Sequence, residues 1–372
     1  MSSGNTNKKD NLTITQIAQE CGVSVATVSR VLNGNLAVSP EKRKRIEQVI
    51  AKYHFTPNSL ARGLVRKETK TLGVIIPDIS NPYFSTMFLE TERYALEAGY
   101  TLLLCNTLYG GSSHGIANTV KESRFFQMML DRQVDGVLIF GGQVDMTTVD
   151  DEYRLALEEL HQRLPVVVIG KAIPGINCTF LQSDTGMGVT MAVNYLYGLG
   201  HRRIAFVGGQ SGVTITDIRL QAYKDALKAL HMPVTEDLTA LTDYYPKDGY
   251  DAITRLVGNH VDFTAAVTIN DNVALGAQRA LADYGLSVPN DVAVISCEQF
   301  PGAEYRVPRL TAVDMHHELL ARTAITTLIN IIRDIPAPVL TRIQPDLIIR
   351  ESCGTALGIR LQNRTEESPH NA

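Results

Sequence analysis

Residues 13–34 read TITQIAQECGVSVATVSRVLNG, and this stretch decides how the amino-terminal part of the chain folds. Thr15 can cap a first short helix that stops at Gly22, and Ser24 can cap a second helix that ends at Gly34. A turn of about three or four residues between two such helices is the connection of a helix-turn-helix unit. The pattern therefore predicts a small helical head.

A third helix is predicted to follow. Residues 39–41, SPE, place a proline at the first helical position and an acidic residue in the first turn. Ile46, Val49, Ile50 and Tyr53 then recur at the spacing of one buried stripe. The predicted head is thus a three-helix bundle.

Charge separates this head from the rest of the chain. Residues 1–70 carry 12 Lys and Arg against 5 Asp and Glu, whereas the other 302 residues carry 23 against 34. The basic excess includes the run KRKR at 42–45. A basic module on an acidic body indicates that only the head meets a polyanion, and DNA is favoured over a merely solvated basic surface.

The head resembles one known family. Residues 13–34, continued by VSPEKRKRIEQVIAKYHFTPNSLARGL at 38–64, closely resemble the head of the LacI/GalR family of bacterial transcription regulators. The resemblance continues through the body to about Gly358. It implies a flexible tail at 1–12 and a helix-turn-helix DNA-binding domain at 13–57.

The resemblance also implies roles on DNA. Val25, Ala26 and Arg30 occupy positions that meet base edges in the major groove, where Arg30 can fork onto guanine O6 and N7. The positions that grip phosphates and set the register are Thr13, Thr15, Ser24, Thr27, Ser29, Asn33 and Asn58. For Ser24 and Ser29, helix capping and solvent exposure explain the residues equally well.

Residues 58–70, NSLARGLVRKETK, form the predicted hinge helix or linker. At about nine residues, with Gly63 inside it, this helix is marginal alone. The resemblance implies that two copies pair across a dimer and fold on the operator, with Ala61 and Leu64 on DNA and Leu64 wedged into the central minor groove. The alternative is a linker helix that packs on its own body.

From Thr71 onward, strand-like runs alternate with helical patterns such as 83–98 and 271–284. Near-continuous apolar runs are expected of parallel strands buried on both faces, and here they read LGVIIP, YTLLLC, DGVLIF, LPVVVIG, RIAFVGG, AAVTI and DVAVIS. The pattern predicts a doubly wound α/β protein in two halves. Such sheets bind ligands beyond the carboxyl ends of their strands.

The order of these motifs resembles the periplasmic-binding-protein-like core of the same family. That resemblance implies an effector-binding and dimerisation domain at 71–358, built of two parallel-sheet subdomains around a cleft that closes by a hinge. The chain is expected to cross between them near 182, 314 and 342. The amino-terminal subdomain is expected at about 71–182 and 315–342, the carboxy-terminal one at about 183–314 and 343–358, and a flexible tail at 359–372.

Residues in strand-end loops are the candidate effector contacts. Arg219 and Glu298 offer a donor fork and a bidentate acceptor for sugar hydroxyls, and Phe84 can stack on a sugar ring or a base. The full set is Asp78, Asn81, Phe84, Lys171, Arg219, Asn270, Asp271 and Glu298. A structural ion pair or helix cap explains each one alone about as well, so the prediction rests on their common position at one end of the sheets.

The chain departs from the family pattern in three places. SCEQ at 296–299 stands where the family usually has Gly-Phe/Tyr-Asp-Asp, so the acidic side chain is one methylene longer. Gly170-Lys171 stands where the family often has an acidic or arginine-bearing pair, and the cation of Lys171 near the pocket mouth favours an anionic ligand such as a sugar phosphate. A Gly/Ser-rich insertion after Asn106 is either a surface loop or a flap over the cleft.

Other classes of protein are excluded by what the sequence lacks. Neither G-x-x-x-x-G-K-S/T nor G-x-G-x-x-G is present. The one G-x-S-x-G match, at 111–115, lies inside the Gly/Ser-rich insertion and not at the end of an apolar strand-like run, so we expect no enzyme, no catalytic residues and no cofactor. Five scattered cysteines and no His pair at zinc spacing predict a reducing compartment and no metal site. The polar N-terminus and the lack of a long apolar run argue against secretion and membrane insertion, and we expect a cytoplasmic, nucleoid-associated protein of bacteria.

The sequence therefore predicts a sequence-specific DNA-binding transcriptional regulator, a repressor of carbohydrate genes controlled by a sugar or sugar derivative in the cleft. Its expected partners are a near-palindromic double-stranded DNA operator and a second copy of the chain in a homodimer. The dimer surface is predicted to include Met87, Phe88 and Thr91. One alternative is a global carbon regulator whose effector is a phosphoprotein, and a distant one is a solute-binding protein or enzyme on the same core.

Overall fold

The computed structural model of the protein divides into two compact units, 1–69 and 70–372. The residues that the structure describes are 13–32, 38–53, 55, 68–108, 121–336 and 343–354. Some predictions lie outside these residues and stay predictions. They concern the two tails, nearly all of the hinge, most of the Gly/Ser-rich insertion, Asn33, Asn58, Ala61 and Leu64.

The head is a bundle of helices, as the sequence predicts. Its helices are α1 (Ile14–Glu20), α2 (Val25–Leu32) and α3 (Pro40–Lys52). Ile17, Val28 and Ile46 are fully buried where the three helices meet. Burying a side chain of this size stabilises a fold by about 1.5–3 kcal/mol, which is how so small a unit holds its shape.

Two details of the head differ from the predictions. Thr13, not Thr15, caps α1: the Gln16 backbone N–H donates to Thr13 Oγ1 over 3.3 Å, and the Thr13 N–H donates to Gln16 Oε1 over 2.7 Å. This reciprocal capping box starts the helix earlier than expected. Tyr53 is 41% exposed instead of lying in the buried stripe, because its hydroxyl reaches out to donate to Glu20 Oε1 over 3.2 Å.

The larger unit contains two sheets, and the first begins directly after residue 70. Its strands are β1 (Thr71–Ile76), β2 (Thr101–Asn106), β3 (Gly136–Phe140), β4 (Val166–Ile169) and β5 (Thr179–Leu181). They are all parallel, in the order β2-β1-β3-β4-β5. The intervening helices are α4 (Pro82–Glu97), α5 (Ser123–Asp131) and α6 (Asp151–Arg163). This assembly is called the first lobe below.

The second lobe is built around a six-stranded sheet. Its helices are α7 (Thr185–Gly198), α8 (Thr214–Ala229), α9 (Pro246–Gly258) and α10 (Asp271–Asp283). Its strands are β6 (Ile204–Val207), β7 (Thr239–Ala240), β8 (Ala265–Thr268), β9 (Ala293–Ser296), β10 (Thr311–Asp314) and β11 (Asp346–Ile348). The order is β11-β10-β9-β8-β6-β7, parallel except for the antiparallel pair β10 and β11. A last helix, α11 (His317–Ile332), returns to pack on α4, β3 and β4 of the first lobe.

The apolar runs of the sequence are the strands of these sheets. β3 is buried at every position, as a central parallel strand should be, whereas β2 is partly exposed because it lies at the sheet edge. The helices predicted at 83–98 and 271–284 are confirmed as α4 and α10. β5, β7, β10 and β11 were not predicted, because they are only two to four residues long and carry no continuous apolar run. No helix among the described residues is long and apolar enough to cross a membrane.

The predicted dimer surface on α4 is wrong for two of its three residues, whereas Phe88 is half-buried and stays a prediction. Met87 and Thr91 are fully buried within the protomer, and the Thr91 hydroxyl donates to the Met87 carbonyl over 2.7 Å. They face the lobe's own core, so they cannot contact another chain. The exposed apolar residues of α4 are instead Leu89 and Leu96, at 62% and 60% exposure.

Candidate functional site

Helix α2 presents a mixed outer face. Val25 is 42% exposed, and Ala26 and Arg30 are exposed beside it. Val28 and Val31 on the opposite side are buried in the head core. The three residues predicted to meet base edges therefore share the accessible face of one anchored helix.

The described residues predicted to contact phosphates lie on α2, directly before it, or at the start of α1. Ser24 Oγ accepts the Thr27 backbone N–H over 3.2 Å and lies 2.9 Å from Thr27 Oγ1, so Ser24 caps α2. Thr13 is engaged in the capping box of α1, Thr15 is exposed, and Ser29 is half-buried. Helix capping is thus observed for Thr13 and Ser24, and the phosphate contacts of all five stay predictions.

A cavity of about 200 Å³ lies between the two lobes, where the strands of both sheets end. This volume is below the roughly 300–1,000 Å³ of sites for drug-sized ligands, so it suits a small molecule. The structure brings seven of the eight candidate effector residues into its wall: Asp78, Asn81, Phe84, Lys171, Arg219, Asn270 and Glu298.

A buried polar chain crosses one side of this cavity. Arg219 on α8 is 2% exposed, and its Nη1 donates to Glu298 Oε2 over 3.1 Å and to the Ile269 carbonyl over 2.7 Å. The other carboxylate oxygen, Glu298 Oε1, lies 2.9 Å from His317 Nε2. Because α11 packs on the first lobe, the chain Arg219–Glu298–His317 links the two lobes.

The electrostatics of this chain keep Glu298 charged. Burial alone would raise the pKa of Glu298, but the charge of Arg219 and the hydrogen bond with His317 outweigh it and hold the pKa below its usual range. The ring of His317 is fixed by an edge contact with Tyr83 at 5.3 Å and by stacking on Phe300 at 6.3 Å. Arg219 and Glu298 thus form an ion pair that is already in place in the cavity wall.

Further contacts hold the lobes against each other around the cavity. The Tyr245 hydroxyl of the second lobe donates to Asp78 Oδ2 of the first. The Thr147 backbone N–H of the first lobe donates to the Gly212 carbonyl of the second over 3.0 Å. These bonds, together with the one between Glu298 and His317, connect the lobes directly.

The other lining residues are also used structurally. Asn81 caps α4, and Asn270 caps α10 while its Nδ2 donates to the Tyr244 carbonyl over 3.1 Å. Phe84 offers an aromatic ring to the cavity, and Lys171 is exposed at its wall. Asn81 and Asn270 therefore cap helices and also line the cavity, so the structural role of each does not exclude its predicted contact with an effector.

Asp271 is the one candidate that does not line the cavity. It is fully buried, and its Oδ2 accepts the Phe300 backbone N–H over 3.0 Å. Burial raises its pKa to about 6. Asp271 lies one residue into α10, so its side chain turns toward the loop after β9 and away from the lobe interface.

Sequence reasoning missed three residues at this site. Asp145 lines the cavity after the Gly-Gly pair that ends β3, and that pair is the signal that points to it. His317 was considered only as a metal ligand, whereas here it binds a carboxylate. Tyr245 precedes Pro246 at the start of α9, and no sequence signal indicates that it reaches across the cleft.

Comparisons with known proteins match both units. Residues 13–58 match "Bacterial regulatory proteins, lacI family", and residues 193–353 match "Periplasmic binding protein-like domain". Catabolite control protein A of Priestia megaterium is 34% identical over 305 residues, covering 82% of this chain and 87% of that protein. The chain belongs to the lacI family of bacterial regulatory proteins.

Further matches agree with this lacI-family assignment. The HTH-type transcriptional regulator GalR of Salmonella typhimurium (strain SL1344) is 29% identical over 345 residues, covering 92% of this chain and 96% of that protein. The structure of a transcriptional regulator CelR–cellobiose complex superposes with a TM-score of 0.66 at 27% identity, covering 92% of this chain and 99% of that one.

This lacI-family protein is a DNA-binding transcriptional regulator and not an enzyme. Within the described ranges, no group of three or more His, Cys, Asp and Glu side chains could hold a metal ion.

Proposed function

We propose that this lacI-family regulator represses carbohydrate-metabolism genes and that a sugar or sugar derivative bound between its lobes controls it. The observation that carries the proposal is the cavity wall, where Arg219, Glu298 and His317 join the lobes in one buried polar chain. A ligand that contacts this chain differs in affinity between two lobe orientations, and only such a difference can shift their populations. The cellobiose held by the similar CelR supports the sugar class.

The effector is identified by thermal shift against monosaccharides, disaccharides, sugar phosphates and nucleosides, followed by operator titration with each hit. A ligand at about 100 times its Kd stabilises the folded state by about 2.7 kcal/mol, which such a screen resolves. A hit that stabilises the protein without changing operator affinity would contradict the regulatory role of the cavity.

The related catabolite control protein A supports a second candidate, a global carbon regulator whose effector is a phosphoprotein. In that case operator affinity responds to a protein partner and to none of the small molecules. Operator titration in a crude extract, before and after phosphatase treatment, distinguishes this candidate from the sugar-controlled regulator.

We propose that the head reads DNA through Val25, Ala26 and Arg30, and that the surrounding basic residues add affinity without sequence preference. Replacing Arg30 with alanine is expected to remove about 1–3 kcal/mol of discrimination at one guanine position, because one bidentate base contact is lost. Lys44 is exposed on α3, and its replacement by alanine is expected to lower the binding affinity for all DNA sequences by a similar factor. Fluorescence titration on operator and base-substituted operators measures both effects. Equal loss of specificity from the two variants would refute the division of roles.

We propose that the protein is a homodimer and that Leu275, Tyr305 and Val307 form part of the covered surface. Tyr305 is 82% exposed, Val307 is 96% exposed and Leu275 is 44% exposed. The loop that carries the first two is tied to α10, because Arg306 Nη1 donates to the Asp271 carbonyl over 2.8 Å. Leu275 lies one turn further along α10, so the three can present one apolar surface to a second copy.

The double substitution Tyr305→Asp/Val307→Asp is expected to give monomers and to lower operator affinity by about 10²–10⁴-fold, because two linked heads bind far more tightly than one. Light scattering and operator titration measure the two effects. Leu155→Asp is the control, since Leu155 is 74% exposed on α6. A native protein that is monomeric at micromolar concentration, or a double variant that stays dimeric, would exclude this surface.

We propose the cytoplasm as the site of action, on the DNA of the nucleoid. The reason is the DNA-binding head, which requires access to the chromosome.

A further inference from the structure

Two glycines leave room for the Asp145 side chain at the cavity. It ends a short 3₁₀ helix, Gly142–Asp145, directly after β3. A Cβ atom at Gly141 would lie 2.7 Å from Asp145 Oδ2, and one at Gly142 would lie 2.2 Å from Glu122 Oε1. Both glycines also have positive φ, at 70° and 88°. Only glycine therefore lets the chain pass this close to the two carboxyl groups.

Glu122 lies behind Asp145 and is fastened in place. It is 4% exposed, and its oxygens accept hydrogen bonds from Thr107 Oγ1 over 3.0 Å and from the Gln143 backbone N–H over 2.8 Å. Asp145, by contrast, lines the cavity and its carboxylate has no hydrogen bond or ion pair with any residue that the structure describes. It is an acceptor that faces a ligand site without a donor.

A donor on the second lobe's side of the cavity lacks an acceptor. Arg219 is 2% exposed, and its Nε–H has no hydrogen-bond partner among the described residues, although Nη1 is bonded to Glu298 and to Ile269. A buried donor without a partner is costly, and a ligand oxygen would satisfy it. A hydroxyl group can accept from Arg219 and donate to Asp145, whereas a phosphate or carboxylate group can only accept.

The charge of the wall points the same way. Among the described residues, and apart from the tyrosines, the acidic and basic side chains that line the cavity are Asp78, Asp145, Asp243, Glu298, Lys171 and Arg219. Arg219 and Glu298 neutralise each other, which leaves three carboxyl groups against the single ammonium of Lys171. Lys171 is exposed to water and is therefore the more strongly screened charge.

We propose that Asp145 makes the cavity selective for sugars without negative charge, and that its carboxylate accepts a hydrogen bond from a hydroxyl or amino group of the ligand. The inference rests on the proposed sugar-controlled function and opposes the anionic ligand suggested by Lys171. Asp145 acts as a specificity-determining residue in this proposal. Its carboxylate accepts a hydrogen bond from a donor group of the ligand and repels a negatively charged group at the same place.

The test compares matched sugars on the full-length protein. Glucose and galactose are each measured beside their 6-phosphate, uronate and 2-amino derivatives, by calorimetry on native protein and on Asp145→Asn. For the hexose that binds, the native Kd of the uronate is expected to exceed that of the neutral sugar by about tenfold or more, and Asp145→Asn is expected to reduce that ratio by about tenfold. Asp151→Asn removes the same charge from a side chain that is 91% exposed on α6 and is expected to leave the ratio unchanged.

The pH dependence gives a second readout. Burial, with a smaller contribution from the charge of Glu122, raises the pKa of Asp145 to about 7. The groups around it are Glu122 before α5, Tyr83 on α4, Tyr244 before α9, and Lys171 and Arg219 on the remaining wall. Asp145 gains charge as the pH rises from about 6 to 8, while a uronate stays ionised throughout. Preference for the neutral sugar is expected to increase with pH in the native protein. It is expected to increase much less in Asp145→Asn, where Glu122, whose pKa burial also raises to about 7, still titrates behind the cavity wall.

The outcomes separate this proposal from the proposed function. Tighter binding of the phosphate or uronate than of the neutral sugar, or an unchanged ratio in Asp145→Asn, overturns the role of Asp145 and leaves a sugar effector in place. If no sugar of this panel or of the thermal-shift screen binds while the protein still binds its operator, both the proposed sugar class and the charge selectivity are overturned. An amino sugar that binds most tightly supports the proposal and identifies the amino group as the donor.

Discussion

Replacing Arg219 with alanine is expected to lower the free energy of unfolding of the core by about 3–5 kcal/mol, because Glu298 is then left as a buried charge without its partner. Arg219 and Glu298 are both nearly inaccessible to water, so solvent cannot take over the role of the guanidinium. Chemical denaturation of the native and variant proteins at about pH 8 measures the difference. Sugar binding is expected to be lost as well.

The pH dependence of this loss tests its cause. In native protein the pKa of Glu298 is held low, so the stabilisation from its charged form is present above the ordinary carboxyl pKa and is lost as the pH falls through the lowered one. Without Arg219, burial favours protonation of Glu298. The variant is therefore expected to lose less stability at about pH 5 than at about pH 8.

A double variant is the matched control. Arg219→Met/Glu298→Gln removes both charges, and it is expected to recover much of the stability that Arg219→Ala loses, since the penalty comes from the unpaired charge. A loss below about 1 kcal/mol for Arg219→Ala, or one that does not change with pH, would contradict this account of the cavity wall.

Replacing Gly276 with alanine is expected to destabilise the second lobe by more than about 4 kcal/mol. Helices α9 and α10 pack backbone against backbone at this point: a Cβ atom at Gly276 would lie 1.7 Å from the Pro246 carbonyl oxygen and 2.7 Å from the Tyr250 nitrogen. Backbone atoms cannot rotate away as a side chain can, so the helices must separate. The shift would also pull Asn270 from the Tyr244 carbonyl and open the cavity wall.

Thermal and chemical unfolding measure this destabilisation. If it exceeds the stability of the native protein, no folded protein is obtained. Gly258→Ala is the control in α9, because a Cβ atom there would meet nothing within 4 Å. That substitution is expected to be neutral or to stabilise by up to about 1 kcal/mol, through the lower entropy of the unfolded chain. Equal stability of the two variants would show that the contact at Gly276 is not restrictive.

Local signals explain why so much of the fold could be predicted from the sequence. Such signals determine the structure of residues close to them in the sequence. They include the cap at Ser24, the proline that starts α3 and the apolar runs of the strands. The same local logic misjudged Thr15, because the Thr13-x-x-Gln16 box competes with it and closes two hydrogen bonds instead of one.

The sequence predicts which residues line the cavity, but it does not predict which of their side chains contact each other. Strand-end loops gather at one edge of a parallel sheet, which is why seven candidates meet at the cavity. Which side chains bond there depends on how the lobes pack, so the contact of Glu298 with His317 and of Asp78 with Tyr245 could not be foreseen. Met87 was misjudged for a related reason, since an apolar stripe does not reveal whether it faces its own sheet or a partner.

The bonds that join the lobes have a consequence for the speed of the response. The described contacts across the cleft include Asp78 with Tyr245, the Thr147 N–H with the Gly212 carbonyl, and Glu298 with His317. At roughly 0.5–1.5 kcal/mol each, opening all three costs roughly 2–4 kcal/mol, so the open form is on the order of 1% of the population. A ligand that enters only through this form associates about a hundredfold more slowly than by free encounter, and it leaves slowly for the same reason. We therefore expect the regulator to respond to sustained changes in ligand concentration more strongly than to brief ones.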